Sequence, residues 1–217
     1  MVGRALSAKL ASLGHDVLVG TRDVARTEAH TEPDAWGSPP FRTWLAQNPA
    51  VRLGTFADSA AHGEMIVNAT SGSASLEALR SVGEVLLADK ILIDVANPLD
   101  FSTGTLTLLV CNTDSLGEQI QRAFPRARVV KTLNTVNATV MVEPAQVANG
   151  DHHLFLSGND PDAKARVTEL LTTGFGWRHV VDLGDITTAR GAEALMLLWI
   201  SLAGVTGSSM FNFKLAM

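Results

Sequence analysis

The chain has no tyrosine, and only one cysteine, Cys111, among its 217 residues. The first absence excludes a mechanism in which a tyrosine–lysine pair relays a proton. The second excludes an internal disulfide and a multi-cysteine metal site. A lone cysteine and an opening that lacks a basic segment leading into an apolar core read as a reducing, cytoplasmic setting. Basic excess is also missing: 17 Lys and Arg against 22 Asp and Glu leave a formal net charge of −5. Such a chain has no overall attraction for nucleic acid or an acidic membrane surface, so any anion site must be local. The six histidines form no His-Glu-x-x-His pattern or other metal-ligand spacing, and no metal is expected. The most apolar late stretch, ALMLLWISLAGVTG, falls short of the ~20 residues that span a bilayer, and no membrane span is expected either.

What is present is a strand–helix alternation. With 46% hydrophobic residues the chain is long enough to bury a real core. MVGRALSAKLASLGHD reads as an amphipathic helix and turn, followed by the short strands DVLVG, VRLGTF (Val51 to Phe56) and EMIVNAT (Glu64 to Thr70). A helix around Ser75 to Val82, the strand KILIDVANP, the helix SLGEQIQRAFP and the strand ARVVKTLNTV come next. From His152 the alternation resumes with HLFLSGN, a helix over PDAKARVTELLTT, the strand WRHVVDLG and a long helix from near Ile186. This order predicts an α/β fold, a Rossmann-type doubly wound parallel sheet covered on both faces. Residues 1–148 form its nucleotide-binding part, and residues 149–217 a small C-terminal α/β and helical extension. Thr31 to Pro49 is a Pro/Gly-punctuated insertion around the aromatic helix FRTWL.

The chemistry-bearing residues fall where strands end. Gly3 fits the third glycine of a G-x-G-x-x-G turn, which lets a helix pack closely on a strand. Arg22 lies 19 residues later (22 − 3), at the end of the following strand, where such folds read the adenosine ribose. An acidic residue there grips the ribose hydroxyls, whereas an arginine accepts the extra phosphate of NADP. If a helix starts just after Gly20, Arg22 and Arg26 share a face, and with the Thr21 hydroxyl they converge on one phosphate. The bland reading makes them solvated charges paired to Asp23 or Glu28, and Asp23 is the rival for the ribose. Asn68-Ala69-Thr70-Ser71-Gly72, Asn97-Pro98-Leu99 and Asn134-Thr135-Val136 follow the ends of three further strands, the edge where open α/β sheets bind ligands. As a set they suit nicotinamide and ribose, and singly each could be a cap or turn residue.

No strong general acid or nucleophile emerges, so no catalytic side chain is assigned. The pattern favours a reaction that needs two well-stacked reactants, hydride transfer between two cofactors or to a flavin-like acceptor. The segments VGRALSAKLASLGHDVLVGTRD, MIVNATSG, ILIDVANPLDFSTG, ARVVKTLNTV, LFLSGND and VVDLGDITTARGAEALMLLWISLAG with FNFKLA together resemble the coenzyme F420-dependent NADP oxidoreductase family. The resemblance implies a Rossmann domain that binds NADP, a C-terminal part completing a cleft, and direct hydride transfer between nicotinamide and the deazaflavin F420. It also implies that Thr21, Arg22 and Arg26 hold the 2′-phosphate, and that the loops at Asn68, Asn97 and Asn134 line the cleft. Two departures accompany it. The family's opening strand and first glycines have no counterpart before Met1, so a truncated or misassigned start is expected, and the insertion around Trp36 to Trp44 could admit another acceptor. The remaining readings keep NADPH with a flavin, quinone or ferric chelate as the small-molecule acceptor, or make the chain a nonenzymatic NADP sensor. The apolar C-terminal helix and MFNFKLAM suggest either a homodimer or core packing.

Overall fold

The computed structural model describes residues 1–33 and 37–216. Helix α1 (Val2–Ser12) leads into β1 (Val17–Thr21), α2 (Val24–Ala29), α3 (Phe41–Gln47), β2 (Val51–Thr55), α4 (Phe56–His62) and β3 (Met65–Asn68). Helix α5 (Gly72–Val82), the short α6 (Glu84–Leu87), β4 (Ile91–Asp94), the strands β5 (Leu99–Asp100) and β6 (Thr107–Leu108), α7 (Leu116–Ala123), β7 (Arg128–Thr132) and α8 (Ala138–Val142) follow. After two single 3-10 turns come β8 (His153–Gly158), α9 (Pro161–Glu169), β9 (His179–Asp182) and α10 (Ala189–Thr206). Local chemistry sets several of the starts. Thr55 and Asp58 form a reciprocal capping box that turns β2 straight into α4. Ser115 accepts the Glu118 amide at the head of α7, and Asp160 does the same for α9 with Pro161 in the first turn.

The expected α/β sheet is present, with two differences. Strands β3, β4 and β7 run parallel, β8 runs antiparallel to β7, and β9 is parallel to β8. The connection through α8 and the 3-10 turns makes no crossover, so β8 returns along β7 instead of continuing the parallel set. The expected C-terminal extension thus joins the sheet itself, through β8 and β9, instead of packing on it as a separate part. Secondly, β1 and β2 form a parallel pair of their own. Between β1 and β3 lies an open slot of about 900 Å³, walled by Val17, Leu18 and Val19 on one side and Met65, Ile66 and Val67 on the other, with Leu6 and Leu10 of α1 against it. Ser59 Oγ of α4 donates to the Leu18 carbonyl at 3.0 Å, which supplies that oxygen with a side-chain partner.

The core divides by strand alternation. Ile91 and Ile93 of β4 and Val130 of β7 face one cluster with Leu6, Val140, Leu154, Leu156 and Trp177. Leu92 and Val129, one residue out of phase, face the other with Leu79, Ile120 and Phe124. Burying each such side chain contributes about 1.5–3 kcal/mol. Trp177 keeps its polar atom satisfied by donating Nε1–H to the Met141 carbonyl at 3.0 Å. The long helix expected from near Ile186 is present as the helical stretch Ile186–Thr206, and with the residues that precede ALMLLWISLAGVTG its 21 residues, of mean hydropathy 1.2, meet the length and composition of a bilayer span. Its first half is built into the fold, with Ala189, Ala192, Glu193 and Met196 buried, whereas Leu197, Leu198 and Val205 are exposed.

Candidate functional site

The carboxyl end of β1 carries the cationic residues. Helix α2 begins at Val24 with Asp23 as its cap, whose Oδ1 accepts the Arg26 amide at 2.9 Å. Arg22 therefore lies outside the helix, and the expectation that Arg22 and Arg26 share a helical face is corrected. The cap-forming side chain of Asp23 is what moves the helix start past Arg22. Both arginines are exposed, and neither forms an ion pair with Asp23 or Glu28 among the described residues. Thr21 Oγ1 is 2.8 Å from Thr27 Oγ1, which also donates to the Asp23 carbonyl. The turn after β1 is thus pinned from inside, with the two guanidiniums exposed on its surface.

Gly3, Asn68, Ala69 and Thr70 meet at the same end of the slot. A β-carbon on Gly3 would sit 3.7 Å from the Ala69 Cβ, an ordinary contact, so the packing of α1 does not itself demand glycine there. Gly72 is different. A β-carbon on it would fall 1.9 Å from the Asn97 carbonyl oxygen, so the backbones of the Asn68–Gly72 and Asn97–Pro98 loops touch through a position only glycine can fill.

Across that contact the asparagines hold one another. Asn68 Nδ2 donates to Asp94 Oδ1 at 2.8 Å and to Ser75 Oγ at 3.1 Å, while its Oδ1 accepts from Thr70 Oγ1 at 2.7 Å. Asn134 Nδ2 donates to Asn97 Oδ1 at 2.9 Å and to the Ala192 carbonyl at 3.0 Å, and Asn97 Nδ2 donates back to the Asn134 carbonyl at 2.7 Å. Pro98 is buried, and its carbonyl accepts from Leu109 N at 2.8 Å. The asparagines shape the cleft by locking its loops, and they leave few side-chain donors of their own for a ligand. Beside them, the hydroxyl of Thr135, a residue of the Asn134–Val136 loop marked out in the sequence, is buried without a partner among the described residues, an unmet hydrogen-bonding group.

Sequence reading also missed the charges beneath the loops. Lys131 is wholly buried, with Nζ 2.8 Å from both Asp94 Oδ2 and Glu193 Oε1. Burial works against its charge, but the Asp94 and Glu193 carboxylates outweigh that and hold it above the usual lysine range. The signal was available. VVKTL and ILIDV are apolar strands that each carry one charge, of opposite sign, and the two charges pair directly across the ladder. The insertion proposed around Trp36 to Trp44 falls partly outside the described residues, at 34–36. Its described helix α3 is tied to α1 by Arg4, whose guanidinium lies 5.4 Å from the Phe41 ring centroid and donates to the Pro39 carbonyl. Among the described residues no group of three or more His, Cys, Asp or Glu could hold a metal ion.

No protein-family model matches the chain. A crystal structure from Arthrobacter sp. FB24, provisionally named an F420-dependent NADP-reductase, is 56% identical and superposes with a TM-score of 0.96, covering 100% of this chain and 95% of that one. The chain belongs to the F420-dependent NADP reductase family. Metalloreductase STEAP3 of Rattus norvegicus is 26% identical over 195 residues, which are 89% of this chain. The chain spans about a third of that protein's length, 34%. An imine reductase of Myxococcus stipitatus, solved with NADP+, is 16% identical with a TM-score of 0.59 over 95% of this chain and 60% of that one, a likeness of fold alone. The F420-dependent NADP reductase family thus shares its α/β frame with more distant reductases.

Proposed function

We propose that this chain is an NADP(H)-dependent oxidoreductase that passes a hydride directly between the nicotinamide of NADPH and a deazaflavin, coenzyme F420. The observation that carries the reading is the pair of exposed guanidiniums of Arg22 and Arg26 at the end of β1, neither with an ion-pair partner among the described residues. That strand end reads the adenosine ribose in this kind of sheet, and the donor set there suits a 2′-phosphate. Asp23, the rival for an unphosphorylated ribose, already spends one carboxylate oxygen on the α2 cap. Gly3, Ala69 and Thr70 would border the path of the diphosphate, and the locked Asn97–Pro98 and Asn134 loops would bound the nicotinamide end, with the Thr135 hydroxyl as a donor in reserve. The similarity to a family member provisionally named for both cofactors supports this reading.

When bound, the two cofactors supply the redox chemistry. The chain's own residues bind and orient. The lattice of Asn68, Asn97 and Asn134 is hydrogen-bonded before any ligand arrives, so ordering the loops costs little on binding. In this reading residues 1–148 hold the nucleotide, residues 149–217 complete the cleft on the acceptor side, and the exposed Leu197, Leu198 and Val205 of α10 are offered to a second copy. The match to a metalloreductase favours one further reading, in which NADPH is kept and the acceptor is a flavin, a quinone or a ferric chelate.

Mixing the protein with NADPH and oxidised F420 tests the proposal. Loss of the deazaflavin absorbance with NADPH but not with NADH is the expected result. Charged hydrogen bonds contribute about 1.5–3 kcal/mol each, so Arg22→Ala with Arg26→Ala should raise the Kd for NADPH by at least about a hundredfold and leave that for NADH nearly unchanged. NADPH binding without bleaching sinks the deazaflavin step and transfers the test to the other acceptors.

A further inference from the structure

We propose that Glu193 and Lys131 are positioning residues: the buried Asp94–Lys131–Glu193 cluster ties the start of α10 to the loop carrying Asn68 and Thr70, so that the shape of the nucleotide side of the cleft depends on where α10 sits. The proposal rests on the cleft described above as the cofactor site.

The three side chains are at most 2% exposed. Lys131 has three hydrogens to donate and finds three acceptors, Asp94 Oδ2 at 2.8 Å, Glu193 Oε1 at 2.8 Å and the Ala96 carbonyl at 2.5 Å. Glu193 spends its remaining capacity on the head of α7, accepting Leu116 N at 2.8 Å and Gly117 N at 3.0 Å. The other oxygen of Asp94 accepts Asn68 Nδ2. A carboxylate oxygen lets only the nitrogen of that amide face it, so Asn68 Oδ1 is turned towards Thr70, whose hydroxyl and backbone N–H both donate to it. A continuous chain of polar contacts therefore runs from α10 through β7 and β4 to the lip of the cleft. The adjacent residue on α10, Ala192, receives Asn134 Nδ2 through its carbonyl. Two consecutive residues of one helix thus hold both halves of the asparagine lattice.

Stability alone does not call for such a cluster. A buried ion pair is seldom more stabilising than apolar residues of the same volume, and both faces of the sheet carry clusters of apolar side chains into which such residues would fit. Leucines at these positions would fill the space but could not set the direction of the Asn68 amide. Asp94 and Lys131 form the last ladder pair of β4 and β7, immediately before the loops that line the cleft, which is where a directional tie has an effect. A displacement of α10, by an acceptor bound against it or by a second copy, would slacken the Glu193–Lys131 contact and, through Asp94, the Asn68–Thr70 loop. Linkage makes the coupling reciprocal.

The test is Glu193→Gln, which keeps the shape and removes the charge. It is compared with Leu171→Ala, a core truncation in the turn after α9 chosen to lose a similar amount of stability. Two readouts are taken, the Kd for NADPH and the hydrogen exchange of the Asn68 side-chain amide followed by NMR without ligand. Glu193→Gln should raise the Kd by about tenfold and speed Asn68 exchange, whereas Leu171→Ala should change neither while lowering Tm. A Glu193→Gln protein that melts earlier yet binds NADPH normally and keeps Asn68 protected would reduce the cluster to a structural role and overturn the proposal. If the parent protein fails to bind NADPH, the functional reading fails instead, and Asn68 exchange alone decides this one. Should Glu193→Gln not fold, Glu193→Asp, which keeps the charge but shortens its reach, is read in the same two ways.

Discussion

Strands β1 and β4 are both short, apolar and parallel to their neighbours, yet they live in different surroundings. Every residue of β4 is buried, Ile91 wholly and Ile93 to 4% exposure. No residue of β1 is more than partly buried. The difference lies in the neighbours: β4 is hydrogen-bonded on both sides, by β3 and β7, whereas β1 pairs with β2 alone and turns its other edge to the slot. Apolar sequence makes a strand, but ladder partners and covering helices make it a core strand. The proposed phosphate grip at Arg22 and Arg26 stands on the less supported region, and the asparagine lattice on the more supported one.

The largest expected effect is a core truncation on the five-stranded side. Trp177→Ala should cost about 3–5 kcal/mol, since it removes a buried ring that packs edge-on to His152 and strips the Met141 carbonyl of its donor. Val19→Ala in β1 should cost only about 1 kcal/mol, because the lost methyl groups are partly solvated already. Denaturant midpoints of both variants check this, and equal losses would abolish the distinction between the two regions. Hydrogen exchange sharpens it without mutation. The amides of β1 and β2 should exchange through local opening well before those of β4 and β7, which should require nearly global unfolding. Uniform protection across both regions would mean that the slot is closed in solution.

The strands were legible because each is a short apolar run ended by small polar residues, and every run read as a strand became one. The separation of β1–β2 from β3 was not, since the periodicity of VLVGT carries no information about which edge finds a partner. The reversal of β8 was hidden for a related reason: HLFLSG reads the same in either direction, and only the intervening turns set its sense. At the site, Arg22 and Arg26 were found from their distance to Gly3, but the helix start was placed too early because Asp23 was weighed as a ribose ligand and not as a cap. Asn68, Asn97 and Asn134 were picked out correctly as residues at one edge. That Asn97 and Asn134 would bond to one another, and Asn68 to the Asp94 that pairs with a lysine below, depends on distances across strands far apart in sequence.

The smallest expected effect concerns ion pairs, and it extends the same contrast to the surface. On the β1 side, Arg52 and Asp16 meet at 2.8 Å with both side chains more than half exposed, an arrangement that contributes about 0–1 kcal/mol. On the other side, α7 is fastened at both flanks. Arg122 grips both oxygens of Asp114 at 2.9 and 2.7 Å and holds that carboxyl down to about 2 against an ordinary 3.8. Arg190 likewise keeps the Glu118 carboxyl below its usual range, with burial opposing. A carboxyl whose pKa is depressed by folding stabilises the fold above its unfolded value and loses that contribution as pH falls through the folded one. Stability should therefore decline between about pH 4 and pH 2, and Arg122→Gln should flatten that decline. Because Arg122 is 59% exposed, the change is small and should shrink further in 1 M salt. Melting temperatures of Arg122→Gln and the parent from pH 5 to pH 2 check this, and an acid limb as steep in the variant as in the parent would show that the Arg122–Asp114 pair contributes nothing to it.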